Sequence, residues 1–241
     1  MTIKQLKVAL TRVGIGHQKD KKKEMQDKLK QWMASTGMPT SHGKCTSGKT
    51  MANVESDIKQ PTAITATENN CLVIADMKTY SIKILSVRSD GLKISLSTQK
   101  SIRISVAPVF GLACRDDMLY AACSDVGEGG IYRCFYQDDN PRPTKILQNG
   151  SDGCTQVHGL VSCSSGIVFI DRGSRQVKLF SVAAHDDPVI RVVSGSSKVG
   201  DADGICASFY QPTAVCVEAN SVFVVDSAVG RVCLIPTLCQ W

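Results

Sequence analysis

The chain has 241 residues, 43% hydrophobic and 5% aromatic, and a formal net charge of +6. Such a composition fits a globular protein whose core is filled by Val, Ile, Leu, Ala and Cys, and no apolar run approaches the roughly 20 residues of a bilayer-crossing helix. The charge is uneven: residues 1–60 hold 12 of the 28 basic and 5 of the 22 acidic residues, leaving residues 61–241 at −1, so two parts with different partners are expected.

The first part reads as helical. Met1–Gln5 lacks the short apolar core of a secretory signal, so an intracellular protein, cytoplasmic or nuclear, with no membrane partner is expected. Ile3, Leu6, Leu10 and Val13 follow a spacing of three and four, with Thr2 as N-cap and Gly14 as stop. Met25, Leu29, Trp32 and Met33 mark one face of a second helix opening near Asp20. Residues 1–33 therefore predict a basic helical hairpin with a net charge of +6. Lys19, Lys21, Lys22 and Lys23 cluster at the start of its second helix, with Arg12 and Lys28 nearby. Lysines so placed neutralise phosphates and release counterions, giving salt-dependent affinity without base reading. The alternative is a solvated polar face, the common fate of a charge run. Leu6–Leu10, Gly14-Ile15 and Lys22–Leu29 resemble the SAP motif, a two-helix module, and that resemblance implies weak DNA or RNA binding.

Residues 34–54 are rich in Ser, Thr, Gly and Pro and predict a flexible linker. Within it Gly43–Thr50 satisfies the phosphate-loop pattern G-x-x-x-x-G-K-[ST]. A working phosphate loop needs a buried strand before the first glycine and a helix after the last residue. Gly37–His42 has no strand pattern and Met51–Glu55 opens a helix weakly, so no nucleotide site is expected. Thr50–Ile58 is placed to add a closing strand to the last repeat.

Residues 55–241 carry a repeat. Ala63, Gly111, Gly159 and Ala214 each open an apolar run, followed by a turn, a β-branched run, a polar turn and another apolar run. Asp76, Asp171 and Asp226 close the β-branched run in three copies, and Cys123 stands near that position in the other. Gly91–Ser97, Thr144–Gln148 and Val189–Ser194 are expected to be outer strands. Three to four strands repeating at this period mark a β-propeller of about four blades. The last copy stops mid-repeat, so a truncated product or an open arc is expected rather than a closed ring.

The last copy carries Phe209, Pro212, Ala214, Val215, Val222, Val224, Asp226, Ser227, Gly230, Arg231 and Val232, which resemble the NHL repeat, a propeller blade. Its preceding loop, Gly200–Gly204, resembles the Gly/Asp-rich loop that often leads into such a repeat. The resemblance implies a mainly β fold, an NHL-type propeller behind a small helical hairpin, and leaves the reaction open. Lys78, Arg172, Arg175 and Arg231 follow the recurring aspartates and would form a weakly basic rim for RNA, as NHL propellers in certain ubiquitin ligases do. The −1 charge of residues 61–241 favours a protein or peptide partner there.

The three aspartates have two readings. They could hold a cation for a propeller hydrolase or lyase, or accept hydrogen bonds from amides of the turn that follows. His17, His42, His158 and His185 share no ligand spacing, and the 11 cysteines contain no C-x-x-C pair. Reduced structural thiols, no metal, no cofactor and no catalysis are therefore expected. The sequence reads as a non-enzymatic scaffold: a propeller that docks a protein, with a nucleic-acid-binding head. A substrate-recruiting remnant of an NHL-type ubiquitin ligase is a further alternative.

Overall fold

The computed structural model describes residues 58–236, apart from 90–93, 105–107, 126, 151–152, 182–188, 197, 201, 203, 205–206 and 219–220. The helical head, the linker with its glycine-lysine motif, and nearly all of the proposed closing strand Thr50–Ile58 lie outside the described residues. All described residues belong to the compact unit Ala52–Trp241.

Val and Ile are the commonest residues of the runs between the Asn, Ser, Gly and Asp turns, and their branched side chains pack well on a pleated surface. The result is four antiparallel meanders, a four-bladed propeller arrangement. The first sheet is β1 (Pro61–Ala66), β2 (Cys71–Asp76), β3 (Ser81–Ser89) and β4 (Ile94–Arg103). The second is β5 (Val109–Arg115), β6 (Met118–Cys123), β7 (Gly130–Phe135) and β8 (Thr144–Gln148). The third is β9 (Val157–Cys163), β10 (Gly166–Asp171), β11 (Gln176–Ser181) and β12 (Val189–Ser194). The fourth is β13 (Pro212–Glu218), β14 (Ser221–Asp226) and β15 (Arg231–Ile235). The expected strands Thr144–Gln148 and Val189–Ser194 recur with the same limits. The first outer strand does not: β4 runs on to Arg103, past the expected end at Ser97, and residues 91–93 lie outside the described residues. Its Ser, Thr, Gln and Lys content hides the alternation on which a sequence reading depends.

The first strands β1, β5, β9 and β13 lie side by side in chain order. This close approach explains the small residue that opens each copy. A Cβ on Gly111 would stand 2.6 Å from the His158 carbonyl oxygen and 2.7 Å from the Leu160 amide nitrogen. One on Gly159 would meet Ala214 Cα at 3.1 Å.

Period-two alternation gives every sheet two apolar faces, and successive sheets bury them against each other in three cores. Val73, Ile82 and Ile84 of the first sheet meet Leu112, Leu119 and Tyr132 of the second. Tyr120 and Ile131 of the second meet Leu160, Phe169 and Phe180 of the third. Val168, Ile170, Val177 and Leu179 of the third meet Val222, Val224, Cys233 and Ile235 of the fourth, with Phe209 inserted fully buried. Fully burying one such aliphatic or aromatic side chain stabilises by about 1.5–3 kcal/mol. Cys114 and Cys134 pack in or against the first core as small apolar groups, and burial pushes their thiols up to about 12 and about 11.

Polar ties also cross the junctions. Arg115 donates to the Cys163 carbonyl at 2.5 Å and the Ser164 carbonyl at 3.2 Å, and Lys100 donates to the Tyr136 and Gln137 carbonyls at 3.1 and 3.2 Å.

Because Gly111 faces the next strand's backbone, Gly111→Ala is expected to destabilise the protein by about 1–3 kcal/mol, the usual range for overpacking. Gly159→Ala, whose added carbon has more room, is expected to cost less. Denaturant midpoints of the two variants check the order, and equal losses would contradict it.

Candidate functional site at the mouth of the first strands

The recurring aspartates lie on the face where the chain leads into each first strand. Asp76 accepts from the amides of Lys59 at 3.1 Å and Gln60 at 2.8 Å. Asp171 accepts from Thr155 at 3.1 Å and Gln156 at 2.9 Å, and Asp226 from Tyr210 and Gln211, both at 2.8 Å. A backbone bond reinforces each contact: Met77 N–H to Gln60 O, Arg172 N–H to Gln156 O, and Ser227 N–H to Gln211 O. Each carboxylate therefore clips the lead-in segment to the end of the second strand. The following turn, the expected source of the amides, supplies Lys78 N–H and Thr79 Oγ1 to Asp76 and the Ser174 hydroxyl to Asp171. The reason is geometric. The first and second strands pair in register up to the aspartate, Pro61 opposite Asp76 and Pro212 opposite Asp226, so the donors nearest the carboxylate precede the first strand.

The second sheet closes without a carboxylate. Cys123 occupies the aspartate position opposite Val109, and Ser124 N–H still reaches Pro108 O. Pro108 stands where Gln60, Gln156 and Gln211 stand in the other sheets, and proline has no amide hydrogen to give. A carboxylate at position 123 would lack the shorter of its two backbone donors.

Asp171 has a partner that the sequence reading missed. Lys178, third in the apolar strand β11, donates to Asp171 at 2.6 Å and to the Gly153 carbonyl at 2.5 Å. Both side chains are buried. The available signal was one lysine inside the run Val177-Lys-Leu-Phe180. Burial alone pushes the Asp171 carboxyl up. Lys178, Thr155, Gln156 and Ser174 outweigh it and hold the group at about 2. Asp76 is also lowered: burial acts upward, and the amides of Lys59, Gln60 and Lys78 with the Thr79 hydroxyl act downward more strongly.

The sequence-predicted basic residues share this face with different fates. Lys78 is exposed, whereas Arg172 and Arg175 are half-buried on the turn after Asp171. Arg175 and Tyr80 both take left-handed φ (56° and 49°) at the place where Gly230 (62°) ends the corresponding turn of the fourth sheet. The Arg231 guanidinium is turned into the protein. It donates to the Gly200 carbonyl at 3.0 Å and to the Ser208 carbonyl, and lies 3.6 Å from Asp226. Arg12, Lys19, Lys21, Lys22, Lys23 and Lys28 lie outside the described residues.

Next to these clips a second set of equivalent positions lines the mouth. The residue before each small one, Thr62, Phe110, His158 or Thr213, falls at a bulge in the pairing of first and second strands. Each of the first three reaches the next first strand. Thr62 Oγ1 donates to the Val109 carbonyl at 2.5 Å, and the Phe110 ring stacks on the His158 ring at 4.7 Å and 20°. His158 Nδ1 lies 3.0 Å from the Thr213 carbonyl. A carbonyl only accepts, so Nδ1 carries the proton and the neutral ring keeps its lone pair on Nε2. Burial pushes the imidazole pKa down, Arg172 acts the same way, and the bond to Thr213 opposes them. The sequence held a signal for this set: the position before each small residue repeats with the same period.

Among the described residues no group of three His, Cys, Asp or Glu side chains is placed to hold a metal ion. Asp76, Asp171 and Asp226 each serve their own sheet.

A scan against models of known protein families finds no match, and a search of curated proteins finds none either. Solved structures do match. The computationally designed Ika4 protein is 12% identical with a TM-score of 0.50, covering 78% of this chain and 97% of its own. A glutaminyl cyclase of Myxococcus xanthus is 15% identical with a TM-score of 0.44, covering 73% and 70%. A streptogramin B lyase is 14% identical with a TM-score of 0.48, covering 76% of this chain and 53% of its own. At such identities the likeness bears on the fold alone.

Two outcomes are expected from these environments. Asp171→Asn leaves Lys178 buried without its counter-charge, so a loss of about 3–5 kcal/mol is expected, as for other broken buried pairs. The folded carboxyl sits below its unfolded value of 3.8, so its contribution is present above that pH and lost as pH falls toward about 2. Urea titrations across that window should show a shallower acid loss in the variant. The His158 imidazole is expected to titrate below its ordinary 6.5. Acidification below that value then charges the unfolded chain first and lowers stability. An NMR pH titration reads the imidazole directly, and an ordinary or raised value would contradict the burial argument.

Proposed function

We propose that this chain is a non-enzymatic interaction protein: an NHL-type propeller docking a protein or peptide, joined to a SAP-like basic head that binds nucleic acid weakly. The carrying observation is the use of the recurring carboxylates. Asp76, Asp171 and Asp226, the groups a hydrolase or lyase would need at the mouth, are engaged by backbone amides within their own sheets. The mouth offers Phe110 stacked on a neutral His158 between two threonines, a mixed aromatic and hydroxyl surface suited to a peptide. Cations on the same face are few, since Arg231 is engaged internally. Nucleic acid is therefore assigned to Arg12, Lys19, Lys21, Lys22, Lys23 and Lys28 rather than to the propeller rim. A weak head gains from a second binding site on the same chain through effective concentration.

The test is binding of the full chain to labelled single-stranded RNA and duplex DNA over a salt series. A variant with Lys19, Lys21, Lys22 and Lys23 all changed to Gln is compared with the parent. Loss of four phosphate contacts should lower the slope of log K against log salt by roughly 3–4. An unchanged slope would remove the head from the nucleic-acid reading, and no binding by either protein would leave the protein-docking propeller alone.

A further inference from the structure

The inter-sheet interface has a forward half and a backward half, and each is a fixed set of repeat positions. The third sheet's forward half, Val168, Ile170, Val177 and Leu179, is buried against the fourth sheet. By strand register the same positions in the fourth sheet are Phe223, Val225, Val232 and Leu234, an apolar set. There Val232 is 39% and Leu234 42% exposed, against 0% and 5% for Val177 and Leu179. The backward half shows the reverse contrast. Leu112 and Leu160 at its first-strand position are 4% and 7% exposed, while Ile64, their counterpart in the first sheet, is 50% exposed. Val87, on the same face of the first sheet, is 38% exposed, while Leu85 and Lys83 of that face, at the Phe180 and Lys178 positions, are buried. Among the described residues three cores join four sheets, and none joins the fourth to the first.

Exposed at Val232 and Leu234 on one side and at Ile64 and Val87 on the other, these surfaces are thus the complementary halves of one interface that the chain already builds three times. The geometry points to a second copy of this chain as their occupant, bound head to tail, with the fourth sheet of one copy against the first sheet of the other. Continuity with the existing interface favours this occupant. The added junction places the same residue types in the same register, and no new surface has to be invented. Two copies are the smallest assembly in which both surfaces of each copy are covered. An open-ended series would leave one of each exposed and would grow into fibres.

Sedimentation of the full chain at micromolar concentration tests this. The unmodified chain is expected at twice the mass of one chain. Leu234→Glu, which spoils the forward half, and Ile64→Glu, which spoils the backward half, should each sediment as single chains with a cooperative melt. Mixed in equal amounts, the two variants should associate again, because the intact forward half of one meets the intact backward half of the other. Val232→Lys replaces Leu234→Glu if that variant fails to fold. A single-chain mass for the unmodified protein would overturn the proposal. So would a variant that remains paired by itself, which would mean like faces meet like.

Discussion

A buried carboxylate that fastens the start of one strand to the end of the next is the contact on which this arrangement rests. In three of the four sheets the chain arrives at the first strand with two consecutive amides directed at an aspartate. A peptide amide taken out of water needs a partner, and an ionised acceptor is a strong one. The clip fixes the register of first against second strand, and register decides which side chains fall on each face. Beside the clip lie the bulges that turn Thr62, His158 and Thr213 to the mouth, each next to a small residue, and the second sheet keeps the same bulge at Phe110 without a carboxylate.

The clip also restricts the chemistry of the mouth. A carboxylate already receiving several hydrogen bonds is a poor candidate to exchange protons or to take up a cation. Asp171, with a buried lysine beside it, illustrates the point most fully. The groups nearest the mouth are an aromatic ring, a neutral imidazole and hydroxyls, which recognise shape and hydrogen-bonding edges rather than charge.

Much of the fold was legible because periodicity survives wherever strands are buried. Copies at about the same spacing, each with a small residue and most with an aspartate, gave the four sheets and some of the strand limits. What failed was the edge. The first outer strand is largely exposed, so its composition follows solvent rather than packing, and its end could not be read. Pairwise features were also hidden. Lys178 looks like any strand lysine until β10 and β11 are set in register, and His158 gains meaning only when Phe110, 48 positions earlier, lies against it. The donors to the aspartates were misjudged for the same reason: proximity in sequence favours the following turn, while strand pairing brings the preceding segment closer.

The second sheet departs from the others at two positions at once, Cys123 for the aspartate and Pro108 for the residue that donates an amide to it. One change removes an acceptor and the other a donor, so neither leaves the other orphaned. Its closure includes the backbone bond from Ser124 to Pro108, which has no proton to take up or release. Acid therefore acts on this protein unevenly along its length. The seams of the first and third sheets loosen as their aspartates become neutral, while the Ser124–Pro108 bond of the sheet between them is indifferent to protonation.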